Sequence, residues 1–99
     1  MIKIWLDDIR EMPSNYNWCC KTYSQCECAL ELIKRRYKNE EILIDFDHDL
    51  GEEKSGYDIA KYIVENQIPI TYFKIHSMNP VGVQNIRQLL SHYGYEEIR

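Results

Sequence analysis

The chain has 99 residues, a net charge of -4, and a hydrophobic share of 44% beside 28% charged residues, which is the profile of one ordinary globular domain spanning residues 1–99. That balance disfavours duplex DNA as a partner, since Lys34-Arg35-Arg36 is the sole basic run and falls within a helical pattern. No stretch approaches the roughly 18 apolar residues of a membrane span, and the first residues are too short an apolar segment for a signal peptide, so a cytoplasmic protein without a membrane partner is expected.

Ile2 to Leu6 is short and β-branched and predicts a first strand ending in Asp7-Asp8. Residues 9–18 carry Pro13, Ser14, Asn15 and Asn17 and read as a loop, after which Lys21-Thr22-Tyr23 offers a brief second strand. Ser24-Gln25-Cys26-Glu27 has the form of a capping box, so a helix is expected from Gln25 with Cys26, Ala29, Leu30, Ile33 and Tyr37 inward and Asn39 as its stop. Cys19, Cys20, Cys26 and Cys28 lack the paired knuckles of a zinc site and read as buried free thiols.

Ile42 to Phe46 predicts a strand covered on both faces, with Asp45 needing a structural partner. Ser55 caps a helix over 56–65, in which Ile59, Ala60 and Ile63 form the inner stripe. Residues 70–75 alternate as a strand ending at His76-Ser77, and Asn79-Pro80 starts a helix with Val83, Ile86, Leu90 and Tyr93 buried and Gly94 as its end. Residues 95–99 leave room for a short last strand. Strands alternating with helices give an α/β fold, a parallel sheet flanked by helices, with ligands bound outside the carboxyl ends of the strands.

The polar residues fall at those ends. Asp7, Asp8 and Asp47 offer hard oxygen ligands from adjacent strands, suited to Mg2+ with several waters retained; the alternative is that they are plain loop-capping aspartates. Asp45-x-Asp47-x-Asp49 also begins like a calcium-binding EF-hand loop, but Leu50 stands where the glycine is needed and Gly56 where the glutamate is needed. His48 and His76 end different strands and suit general acid and base work near neutral pH, paired across the mouth, with Asp49 orienting His48 or completing the metal shell. Ser77, Asn79 and the free amides of the following helix suit phosphate oxygens.

An acidic pair after the first strand (Asp7, Asp8), an aspartate after the third (Asp47) and a hydroxyl after the fourth (Ser77) resemble the receiver domain of response regulators, with Asp47 at the phosphoacceptor position. The receiver lysine has no counterpart in residues 94–99, the first helix is degenerate, and the C-terminal end is truncated. Leu6-Asp7-Asp8-Ile9-Arg10, Asp47-His48-Asp49-Leu50-Gly51, Ser55-Gly56-Tyr57-Asp58 and His76-Ser77-Met78-Asn79-Pro80-Val81-Gly82 resemble more closely the cyclic-phosphate processing receiver domain family. That resemblance implies a receiver-like (flavodoxin-like) fold. It also implies action on cyclic phosphates in nucleotide or RNA-end metabolism, and with the three aspartates the expected function is metal-assisted hydrolysis, with Mg2+ or Mn2+, of a cyclic phosphate on a nucleotide, an ADP-ribose derivative or an RNA end. The alternatives are a receiver-like signalling module with a protein partner, phosphorylated on Asp47 or not, and a non-catalytic nucleotide-binding protein.

Overall fold

A computed structural model describes residues 1–99. Five strands and three helices alternate: β1 (Ile2–Leu6), β2 (Trp18–Cys20), α1 (Tyr23–Arg36), β3 (Ile42–Phe46), α2 (Gly56–Glu65), β4 (Tyr72–Ile75), α3 (Pro80–His92) and β5 (Glu96–Glu97). All neighbours pair in parallel in the order β2-β1-β3-β4-β5, the receiver-like, flavodoxin-like order. No helix is long and apolar enough to cross a membrane.

Beyond β2, each helical crossover moves the chain in the same direction across the sheet, from β2 to β3, β3 to β4 and β4 to β5. With right-handed connections this puts α1, α2 and α3 on one face. The core agrees: Ile4, Leu6, Ile44, Phe46 and Phe73 pack with Leu30, Ile33, Ile59, Ile63, Ile86 and Leu90. Trp5 and Leu43 are buried too, yet lie outside that cluster. They share the opposite face with Asp45 and Lys74, as the register Trp5↔Asp45↔Lys74 requires, because side chains alternate along a strand. That face has no helix, since residues 7–17 replace one with a loop. The expectation that β3 is covered on both faces is therefore corrected: helices cover one side, and Asp45 is sealed on the other by side chains, Tyr16 among them.

Local signals account for most element ends, with shifts. Thr22, not Ser24, caps α1: its Oγ1 accepts from the Gln25 amide at 3.1 Å, while Glu52 accepts from the Tyr23 amide at 2.8 Å. A side chain 29 residues away thus helps start the helix earlier than the local box implies. With residues 21–23 spent on this turn, the second strand falls at Trp18–Cys20, where it can register with β1. In α3 the buried positions are Gly82, Ile86 and Leu90, whereas Val83 is half-buried and Tyr93 exposed. All four cysteines are free, but only Cys20 and Cys26 are buried; Cys19 faces the helix-free side of an edge strand, and Cys28 is exposed on α1.

Candidate functional site

The strand ladder continues one residue beyond the strands. The Asp7 amide donates to the Cys20 carbonyl (3.0 Å), the Asp47 amide to Leu6 (2.9 Å) and the His76 amide to Phe46 (2.9 Å). Backbone pairing thus fixes Asp7, Asp47 and His76 side by side at the carboxyl edge of the sheet. One carboxylate oxygen from each of Asp7, Asp8 and Asp47 lies within 4.8 Å of the others.

His76 sits between two carboxylates. Its Nδ1 is 2.7 Å from Asp45 Oδ1 and its Nε2 is 2.8 Å from Asp7 Oδ2. Acceptors on both sides are satisfied when both ring nitrogens carry hydrogen, which makes the ring an imidazolium. Burial alone would lower its pKa, but the hydrogen bonds and charges of Asp45 and Asp7 outweigh that and hold it above its ordinary value. Tyr16 donates its hydroxyl to the other oxygen of Asp45, and burial followed by that contact pushes the Tyr16 pKa up. Trp5 stacks on the imidazole at 3.9 Å and 4° and donates from Nε1 to the Arg10 carbonyl at 3.1 Å. Asp7 Oδ1 accepts from the amides of Ile9 and Arg10, each at 2.8 Å. Burial raises the Asp7 pKa, yet these amides and His76 together bring it below its ordinary value. Asp7 and Asp45 are only 1% and 2% exposed, so the imidazolium is the counter-ion that makes their burial tolerable.

Asp47 is placed differently. Its Oδ1 accepts from the His48 amide at 2.8 Å. Burial and then the neighbouring Asp7 charge raise its pKa, although the His48 amide, His76 and the Ser77 hydroxyl pull the other way. Glycines make room around it. A Cβ on Gly56 would lie 1.9 Å from the Asp47 carbonyl oxygen, and Gly51, at φ +69°, brings its backbone to where a Cβ would be 2.8 Å from Asp8 Oδ2. The donor set is all hard oxygen from few carboxylates, which fits a magnesium-type cation that keeps several waters.

Two expected pairings are corrected. His48 does not meet His76, whose two nitrogens are taken by Asp45 and Asp7; the His48 ring lies on Gly82, where a Cβ would come within 2.3 Å of it, and its buried Nδ1 has no partner. Asp49 neither orients His48 nor joins the acidic trio; it accepts from Asn79 Nδ2 at 3.3 Å. Asn79 also caps α3, its Oδ1 accepting from the Gly82 amide at 3.0 Å, and its second Nδ2 hydrogen is left for a further acceptor. Ser77 Oγ accepts from the Asn79 amide at 3.1 Å, and its own hydrogen is directed to the Asp47 carboxylate.

Sequence reasoning missed Trp5, Tyr16 and Arg10. Arg10 donates from Nη1 to the His76 carbonyl at 2.9 Å, tying the loop after β1 to the loop after β4. The available signals were Asp45, a charge on a strand that needed a partner, and the place of Arg10 in the Leu6-Asp7-Asp8-Ile9-Arg10 motif. A family model described as cyclic-phosphate processing receiver domain matches residues 2–92. No curated protein and no solved structure matches the chain.

Proposed function

The chain belongs to the cyclic-phosphate processing receiver domain family, and from that premise we propose that it hydrolyses a cyclic phosphate on a nucleotide, an ADP-ribose derivative or an RNA end, assisted by Mg2+ or Mn2+ at Asp7, Asp8 and Asp47. The observation that carries this reading is the convergence of those three carboxylates within 4.8 Å at the carboxyl edge of the sheet. A divalent cation there supplies Lewis-acid polarisation of a phosphoryl oxygen and lowers the pKa of water.

In the reaction the oxygen of water bonds to phosphorus, one ring P–O bond breaks, and the proton ends on the departing sugar oxygen, leaving a phosphomonoester. His76 is a positioning residue in this reading: with both nitrogens engaged it fixes the Asp7 carboxylate and does not shuttle a proton. Proton transfer falls to His48 through Nε2, because its Nδ1 is buried against Gly82. Ser77 turns its hydroxyl hydrogen from Asp47 to a phosphoryl oxygen when substrate is bound. The test is to incubate the protein with 2′,3′-cyclic nucleotides, ADP-ribose cyclic phosphate and cyclic-phosphate-ended RNA. Metal-dependent turnover abolished by Asp47→Asn is expected, and no turnover of any, or turnover indifferent to chelator, overturns the reading.

A second reading rests on Asp47 itself, which stands after β3 beside the acidic pair and the Ser77 hydroxyl. There its carboxylate attacks a phosphoryl donor such as acetyl phosphate, acetate leaves, and an acyl phosphate remains. An acid-stable, base-labile adduct lost in Asp47→Asn favours it over hydrolysis.

A further inference from the structure

A hollow of about 360 Å³ lies beside the acidic mouth, lined by Ile9, Arg10, Glu11, Met12, Cys19 and Lys21. Both of its walls are bonded to Asp7. On one side the Ile9 and Arg10 amides donate to Asp7 Oδ1, and on the other the Asp7 amide donates to Cys20, between Cys19 and Lys21. A ligand whose phosphate rests at Asp7, Asp8 and Asp47 therefore meets this hollow with the atoms next to its phosphate. Its lining is mixed: Ile9, 85% exposed, and Met12 are apolar, while Glu11 and Lys21 are charged. The apolar Ile9 and Met12 suit the face of a ring, and Glu11 and Lys21 offer an acceptor and a donor for its edge groups. Around it the loops after β1 and β3 carry exposed Glu11, Asp49, Glu52 and Glu53 against exposed Arg10 and Lys54, a net acidic rim that disfavours a polyanion.

We propose that this hollow binds the nucleobase of a single nucleotide, so that among cyclic phosphates the substrate is a mononucleotide and not the end of an RNA chain. The proposal rests on the phosphate site described above. The test compares KM, and affinity by calorimetry, for a 2′,3′-cyclic mononucleotide, for ethylene phosphate as the base-less cyclic phosphate, and for an oligoribonucleotide ending in a cyclic phosphate, all with Mg2+. The mononucleotide is expected to have a KM lower than ethylene phosphate by about tenfold or more, the scale of a small apolar contact set. Ile9→Ser should collapse that ratio, and the change is at an exposed side chain, so folding is retained. A ratio near one in the wild type, or preference for the oligomer, overturns the proposal. Base-dependent binding without turnover keeps the hollow's role and refutes the hydrolytic reading; absence of binding by all three refutes both. A larger effect of Lys21→Gln than of Ile9→Ser assigns the hollow to a second phosphate instead of a base and also overturns it.

Discussion

The two halves of the acidic mouth are built on different terms. On the helix-free side, Asp7, Asp45, His76 and Tyr16 form a closed set in which Asp7 and Asp45 are partnered through both oxygens and His76 through both nitrogens. On the other, Asp8 leans on Gly51, Asp47 has a raised pKa, and His48 buries an unpartnered nitrogen on Gly82. A group already satisfied contributes to folding, and a group left unsatisfied is available to a ligand. The closed half is scaffold for the open half, joined to it through Asp7, so changes in the first should cost stability and changes in the second should cost binding.

The largest effect is expected from His76→Ala. It strands two buried carboxylates, and the loss of a buried ion-pair partner costs about 3–5 kcal/mol, measurable by urea denaturation. The same group sets a pH dependence. Its folded pKa lies above its ordinary value, so its contribution is complete below an unfolded value of about 6.5 and is lost as pH rises through the folded one. Wild-type protein should therefore lose stability between neutral and alkaline pH by an amount that His76→Ala does not show. An identical alkaline slope in the two proteins breaks the comparison.

Next comes Tyr16→Phe, which removes a hydroxyl donating to a buried carboxylate and is expected to cost about 2 kcal/mol with little change in cation affinity. The smallest effect on stability belongs to the open half. Asp8→Asn should stay within about 0.5 kcal/mol of wild type, or be slightly more stable through reduced repulsion. Its affinity for Mn2+, read by paramagnetic relaxation, should nevertheless fall by about tenfold or more. If Asp8→Asn destabilises as His76→Ala does, the division into scaffold and open half is wrong.

The sequence carried the open half better than the closed one. Asp7, Asp8 and Asp47 could be grouped because strand ends in a parallel sheet share an edge, a rule that needs only element order. The Asp45–His76 pair was harder. Both residues were singled out, Asp45 as a charge in want of a partner, but His76 was assigned to proton transfer because a sequence does not show how many neighbours a ring has. Tyr16 and Trp5 were invisible for another reason: a loop with no period gives no face, and only the missing helix on that side of the sheet brings residues 7–17 down onto Asp45. Cap geometry failed at Thr22 in the same way, because Glu52 arrives from far along the chain. Gly56 and Gly82 read as helix residues, whereas their lack of a side chain is what lets two helix starts close on Asp47 and His48.

The stacking of Trp5 on His76 gives the protein an optical handle. The chain has two tryptophans, and Trp18 lies on β2 against Tyr37, away from the imidazole. Only Trp5 presses its ring face against the charged one, at 3.9 Å, where the cation is drawn to the indole π-system and accepts charge from its excited state. Emission from Trp5 should therefore be quenched in the resting protein and should recover when His76 is removed or its grip on Asp7 loosens. In a Trp18→Phe background, fluorescence alone would then report on the scaffold while ligands are titrated into the open half.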